Sequence, residues 1–329
     1  MRSQLPTYGP ALRSTWNAPG AVHLADHERI SAASPWSLRS NTRFGLTDPL
    51  LITATCHRRV PDRTAKWLAA ASAGTLGSQF MDDPDGYFGE PVAANYDDPS
   101  DSMFQPEAVD PAVSLLAELA GGGQALELAI GTGRIGLPLS QRGVAVHGIE
   151  LSRAMVARLR SKPGGEAIGV TIGDMATTRV DGTFTVAYLV YNTINNLTSQ
   201  EAQVGCFRNV AEHLTPGGYF VIETAIPNLR QLPPGQDILG YRAGPARIVS
   251  YSFDHATQQY DGHYVEFTDG TGEYRTVPFR YVWPSELDLM AQLAGLRLRD
   301  RWASWSREPF TTDSRSHVSV WQKPASPQG

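Results

Sequence analysis

The chain has 329 residues, 41% of them hydrophobic, a formal net charge of −5 and two cysteines. At roughly 100–200 residues per domain this is one large domain or two small ones with a real core, and Cys56 and Cys206 are too few for a disulfide framework or a cysteine-built zinc site. No apolar run approaches the roughly 20 residues that span a bilayer, and mild acidity argues against general nucleic-acid binding, so the expectation is a cytoplasmic protein with neither membrane nor nucleic acid as partner and no metal.

The charge is unevenly spread. Residues 1–80 carry nine Lys and Arg against four Asp and Glu, whereas 81–329 carry 19 against 29. Pro6, Pro10, Pro19, Pro35, Pro49 and Pro61 break any long helix in the first part. A strand over 49–56 and a helix over 62–71, capped by Asp62, are its two ordered candidates. Arg outnumbers Lys 25 to 3, as in GC-rich genes, where stray open frames are common. Residues 1–80 are therefore expected to be either upstream DNA read as protein ahead of a start at Met81, or a disordered leader.

After a polar lead-in with Tyr87, Phe88 and Tyr96, Asp110-Pro111 is a good helix start, and Gly121-Gly122-Gly123 stops that helix. The period then changes. Apolar strands are expected over 125–130, 144–149, 167–172, 184–190 and 219–225, with helices between them. Ser152 caps the helix that runs to Arg160, and Thr198-Ser199-Gln200-Glu201 is a capping box opening a helix to Leu214. Pro216-Gly217-Gly218 reads as a turn. Strands apolar on both faces and alternating with helices predict a doubly wound α/β domain on a mostly parallel, Rossmann-like sheet.

Between 227 and 282 the pattern becomes antiparallel, with strands expected over 247–253, 262–268 and 274–281 and a hairpin at Asp269-Gly270. A helix over 284–294 and strands over 296–304 and 316–323 complete the sheet, the last pair making an antiparallel edge. The expected organisation is a domain of 81–226 plus 283–323, with 227–282 inserted as a β-rich lid.

Ligands of doubly wound folds bind beyond the carboxyl ends of the strands. Gly131, Gly133 and Gly136 follow the first strand and spell G-x-G-x-x-G, which alone is a weak dinucleotide signal. Three acids sharpen it. Glu127 is a carboxylate inside an apolar strand, which needs a partner such as a ligand cation, backbone N–H groups or water. Glu150 ends the second strand, placed for ribose hydroxyls, and Asp174-Met175 ends the third, placed for an adenine. Three acids at three successive strand ends suit a cationic adenosine ligand without phosphates, and S-adenosylmethionine has that character. The competing reading is a nicotinamide-dependent oxidoreductase using the same glycines; a cofactor-binding homologue without catalysis is a further alternative.

These stretches resemble the class I S-adenosylmethionine-dependent methyltransferases: Glu127-Leu-Ala-Ile-Gly131-Thr-Gly133, Gly148-Ile-Glu150-Leu-Ser152, Gly173-Asp174-Met175 and Leu214-Thr-Pro-Gly-Gly218, over about residues 87–323. The resemblance implies a seven-stranded sheet. It puts Glu127, Gly131 and Gly133 around the methionine moiety, Glu150 at the ribose and Asp174 with Met175 at the adenine, with Ala129 and Leu151 also among the cofactor-binding residues. Tyr191 and Asn192 would floor the site near the sulfonium and Tyr96 would close it. It implies methyl transfer to nitrogen or oxygen of a small-molecule acceptor. The lack of an Asp/Asn-Pro-Pro-Tyr/Phe motif after the fourth strand lowers the odds of a DNA substrate. His263, His317 and Tyr191 are candidate bases, and Arg280 and Arg315 candidate anchors for an acidic substrate group.

Overall fold

The computed structural model describes residues 85–325 except Ser100, Pro245, Asp269 and Gly270. The expected strand at 49–56, the helix at 62–71, the start at Met81 and the Asp269-Gly270 hairpin turn lie outside the described residues.

A short helix, α1 (Glu90–Ala93), precedes the long helix α2 (Pro106–Ala120). The expected start of α2 at Asp110 is a turn too late. Pro106 takes the first helical position, where its missing N–H costs nothing, and Pro111 is carried within the helix. Asp110 pairs on the surface with Arg142 at 3.4 Å instead. The glycine stop is met by Gly121 in the left-handed conformation, φ 56°.

From there strand and helix alternate: β1 (Ala125–Leu128), α3 (Gly136–Gln141), β2 (Val146–Glu150), α4 (Arg153–Arg160), β3 (Gly169–Ile172), β4 (Phe184–Leu189), α5 (Gln200–His213) and β5 (Leu214–Ala225). The Ser152 cap forms as expected, whereas α5 is capped by Ser199, one residue later than the Thr198-to-Glu201 box places it. Ser152 Oγ accepts the Met155 N–H at 3.0 Å and Ser199 Oγ accepts that of Ala202 at 3.1 Å. Pro216-Gly217-Gly218 is not a turn before β5 but an irregularity inside it, where the β4–β5 register slips between Phe184 and Val186. Helix α6 (Pro284–Leu293), β10 (Arg297–Trp302) and β11 (Ser316–Gln322) close the domain.

The seven-stranded sheet has the order β10-β11-β5-β4-β1-β2-β3. Strand β1 is parallel to both β2 and β4, so the order reverses between β1 and β4, and a crevice opens there. The antiparallel departure expected at one edge is carried by β11, which lies between β5 and β10 and opposes both.

Alternate residues of each strand feed two cores. Leu115 and Leu116 of α2 and Leu139 of α3 pack with Val186, Val221 and Val320 on one face. Phe207 of α5 and Leu287 of α6 pack with Phe220 and Trp321 on the other. Phe207 meets Phe220 and Trp321 edge to face, with ring centroids 5.0 and 5.4 Å apart. Burying each of these Phe side chains contributes about 1.5–3 kcal/mol.

Residues 238–280 form a separate four-stranded antiparallel sheet of β6 (Ile238–Ala243), β7 (Arg247–Asp254), β8 (Gln259–Thr268) and β9 (Thr271–Arg280). Its first strand has no alternating signature and is additional to the three expected. Arg280, at the end of β9, pins this sheet to the main domain: it pairs with Glu286 of α6 at 2.7 Å and donates to Gln203 of α5. Across β7, β8 and β9, Phe253, Tyr260 and Phe279 stack in register, with centroids 5.4 and 5.0 Å apart.

Candidate active site

The crevice is built on an unusual stretch of backbone. Ala129, Gly131 and Gly133 have φ of 51°, 57° and 80°, three left-handed residues in five. Glycine is needed at 133 on two counts, since a Cβ there would also lie 2.4 Å from Leu159 Cδ1. Ala129 takes the same conformation at a cost of about 1–2 kcal/mol.

Glu127 lies just below this loop, 2% exposed. Tyr188 donates its hydroxyl to Oε2 at 3.0 Å, and Gly136 stands against the same oxygen, 2.4 Å from where a Cβ would be. The third glycine of the G-x-G-x-x-G pattern therefore makes room for a carboxyl group. Burial pushes Glu127 up to about 8, against the Tyr188 bond and the Arg134 charge, which pull it down.

Glu150, 5% exposed, ends β2 with both oxygens engaged by backbone: Oε2 accepts the Gly131 N–H at 2.7 Å and Oε1 that of Ser152 at 2.9 Å. Burial raises its pKa, and those N–H groups oppose the rise. Leu151 beside it is exposed. Asp174 is also exposed, its Oδ1 accepting the Ala176 N–H at 2.8 Å, and Met175 is buried behind it. Three strand ends thus present carboxyl groups along one edge of the sheet.

The lead-in segment closes over the loop. Thr132 Oγ1 donates to Asp97 Oδ1 at 2.6 Å, and Lys162 bridges Asp97 Oδ2 at 2.8 Å and the Thr132 carbonyl at 2.7 Å. Tyr96 is thereby held between the rings of Phe88 and Phe104, 6.3 and 6.1 Å away. Burial pushes its hydroxyl up to about 12, with Arg134 opposing and the neighbouring Tyr191, Glu150 and Asp97 adding to the rise. Asp85 caps α4 from the same segment, accepting the N–H groups of Arg153 and Ala154 at 3.0 and 3.1 Å.

Beyond β4, Tyr191 and Asn192 are both left-handed, φ 57° and 61°. Glu223 of β5 holds this turn: its Oε2 accepts the Tyr191 N–H at 3.0 Å and its carbonyl accepts that of Asn192 at 3.2 Å. The Tyr191 ring is half exposed, with the Arg134 guanidinium 5.1 Å from its centroid. A cavity of about 330 Å³ adjoins it, lined by Met103, Arg134, Ile135, Tyr191, Glu223 and Trp305 among others.

The structure thus brings Ala129, Gly131 and Gly133 together with Glu127 and Glu150, with Tyr96 tied to the loop through the neighbouring Asp97 and Tyr191 beside Arg134. Leu151, Asp174 and Met175 follow the ends of β2 and β3, and Asn192 follows Tyr191 after β4. Two other expectations are corrected. His317 is fully buried, bonded through Nδ1 to Ser319 at 2.7 Å and pushed down to about 3 by burial and the Arg301 charge, so it is no base for a substrate. Arg280 is buried in the anchor of the second sheet and is no substrate clamp. His263 is bonded to Ser252 at 2.8 Å and Tyr274 at 2.7 Å within that sheet.

Arg134, Glu223, Trp305 and Tyr188 are the residues that reading the chain missed. Arg134 had a signal, a cation directly after the glycine loop. Glu223 and Tyr188 had weak ones, polar groups within apolar strands. Among the described residues no group of three His, Cys, Asp or Glu is placed to hold a metal ion, and no helix is long and apolar enough to cross a membrane.

Sheet order, glycine loop and strand-end acids together define a doubly wound fold with a ligand crevice at its topological switch point. Residues 125–218 match the family described as a methyltransferase domain. The structure of the CcbJ methyltransferase from Streptomyces caelestis is 33% identical, with a TM-score of 0.64 over 72% of this chain and 98% of that one. The cypemycin N-terminal methyltransferase of a Streptomyces species is 28% identical over 207 residues, 61% of this chain and 84% of that protein. An S-adenosylmethionine-dependent methyltransferase from Clostridium acetobutylicum shares the fold at 13% identity, with a TM-score of 0.54 over 66% and 90% of the two chains. The chain belongs to the class I S-adenosylmethionine-dependent methyltransferases, which sets aside the nicotinamide reading of its glycine loop.

Proposed function

We propose that this enzyme methylates a nitrogen or oxygen of a small-molecule acceptor, using the crevice between β1 and β4 for S-adenosylmethionine and residues 227–282 as a lid over the acceptor. The observation that carries the cofactor assignment is Glu127, a carboxyl buried in an apolar pocket with Tyr188 as its side-chain donor. Such a group fits a ligand cation, and the α-ammonium of the cofactor supplies one.

In this reading Glu127 takes the ammonium while Ala129, Gly131 and Gly133 let the backbone approach the methionine chain. Glu150 exchanges backbone partners for the ribose hydroxyls, with Leu151 against the sugar. Asp174 takes the adenine amino group and Met175 packs on the ring. Arg134, directly after the glycine loop in the chain, faces the methionine carboxylate. Tyr191 and Asn192 floor the site, and Tyr96, locked by the Asp97–Thr132–Lys162 bridge, excludes water from it.

When bound, S-adenosylmethionine would supply a sulfonium-borne methyl group for transfer to the acceptor lone pair, its sulfur keeping the electron pair of the broken C–S bond and the acceptor proton passing to solvent. The protein's task is positioning at roughly 3 Å and in line. A relative named for N-terminal methylation of cypemycin supports a nitrogen acceptor. Calorimetry with S-adenosylhomocysteine tests the cofactor site, with Glu127→Ala expected to weaken binding at least tenfold. Unchanged affinity would remove Glu127 from the assignment. Transfer of labelled methyl to matched amine, hydroxyl and carboxyl compounds tests the acceptor class.

A further inference from the structure

The cavity beside Tyr191 is lined by a carboxylate, Glu223, that the cofactor reading leaves unused. Arg134 and Glu223 line it together, yet they form no ion pair within 4.0 Å. Arg134 is held on the glycine-loop side by the Met103 carbonyl at 3.1 Å and by the Tyr191 ring. Glu223 is held on the β5 side by the Tyr191 N–H. Among the described residues no Lys, Arg or His makes an ion pair with Glu223.

Glu223 is half buried, so part of its carboxylate faces solvent. An occupant of the cavity displaces that solvent and takes hydration from the carboxylate. The lost hydration is offset by a ligand that brings positive charge and N–H donors, whereas a neutral or anionic ligand leaves the carboxylate uncompensated. Trp305 adds aromatic surface to the same cavity, which favours a cation further, while the Tyr191 ring already faces the Arg134 guanidinium. Its volume suits one small group or the end of a larger molecule.

We infer that this cavity is the acceptor site and that Glu223 selects an acceptor bearing an aliphatic ammonium group, so that the atom methylated is nitrogen. The inference rests on the cofactor reading above, since it places the acceptor next to the floor residue Tyr191. Glu223 receives the protonated amine, keeps an N–H···O bond to the nitrogen once one proton has left to solvent, and stabilises the positive charge that the nitrogen regains on bond formation. Acceptors with a carboxylate at this end are repelled.

The test uses the full chain saturated with S-adenosylhomocysteine and three matched pairs: benzylamine and benzyl alcohol, cyclohexylamine and cyclohexanol, alaninamide and lactamide. The expected result is that amines bind the complex at least tenfold tighter than their hydroxyl partners by calorimetry, and that labelled methyl from S-adenosylmethionine appears on the amines. Glu223→Gln retains an oxygen for the Tyr191 N–H but loses the charge. It is expected to erase the amine preference while S-adenosylhomocysteine affinity and Tm stay at wild-type values. Equal binding of both partners, no binding of either, or an amine preference that survives Glu223→Gln would overturn the inference. Failure of S-adenosylhomocysteine itself to bind would instead overturn the cofactor reading.

Discussion

Tyr188 of β4 donates its hydroxyl to Oε2 of Glu127 on β1 across 3.0 Å, joining two strands that are neighbours because the sheet reverses its order between them. The bond does not cancel the cost of burial, and Glu127 remains up at about 8, against an ordinary value of 4.5. The folded carboxyl keeps a proton that the unfolded chain gives up above pH 4.5. With the native pKa the higher of the two, stability falls as pH rises from about 4.5 to about 8 and levels off beyond. Glu127→Gln is expected to raise the Tm at pH 8.5 by at least about 2–4 °C and to leave it near wild type at pH 4.5. Scanning calorimetry at the two pH values checks this; equal shifts at both would show that ionisation is not the cause.

The same group links ligand binding to protons. In the proposed site an ammonium sits beside Glu127 and favours its ionised form, so binding near pH 7 releases a proton. S-adenosylhomocysteine affinity is expected to fall about tenfold per pH unit below 7. Its calorimetric enthalpy should vary with the ionisation heat of the buffer. Glu127→Gln should bind weakly at every pH and show no buffer dependence.

The left-handed positions of the loop respond in opposite directions. Ala129→Gly relieves about 1–2 kcal/mol of backbone strain and adds about 0.5–1 kcal/mol of unfolded-chain entropy, for a net stabilisation of up to about 1.5 kcal/mol. Gly133→Ala adds the same strain and a clash with Leu159, for a loss of about 2–4 kcal/mol. Urea unfolding of the two variants decides it, and a destabilised Ala129→Gly would contradict the strain.

Asp97 ties the lead-in segment to the loop through Thr132 and Lys162, both contacts in partly exposed surroundings. Their contribution to global stability is about 1 kcal/mol. Asp97→Ala is expected to unfold at nearly the wild-type urea midpoint but to speed amide exchange across residues 85–104 and to weaken S-adenosylhomocysteine binding about three- to tenfold. Unchanged exchange in that segment would show that it is held by aromatic packing alone.

Much of the domain was legible in linear order, for a physical reason. Strand and helix periods, the cap at Ser152 and the left-handed stop at Gly121 depend on residues within a few positions of one another. Where reading along the chain went astray, a distant partner had overruled a local preference. Pro106, not Asp110, begins α2, and β6 exists because β7 offers it an edge to pair with.

The residue types around the glycine loop likewise pointed to an adenosine-type cofactor, because Gly131, Gly133 and three acids at successive strand ends make chemical sense without coordinates. What folding decided was which polar groups meet. Gly136 proved to be a space for the Glu127 carboxyl rather than a dinucleotide glycine, and His317 and Arg280 proved to be buried. Glu223 came to the cavity through a bond to Tyr191, 32 residues earlier in the chain. Such meetings follow from the parallel pairing of β4 with β5, a crossover contact that no local period encodes.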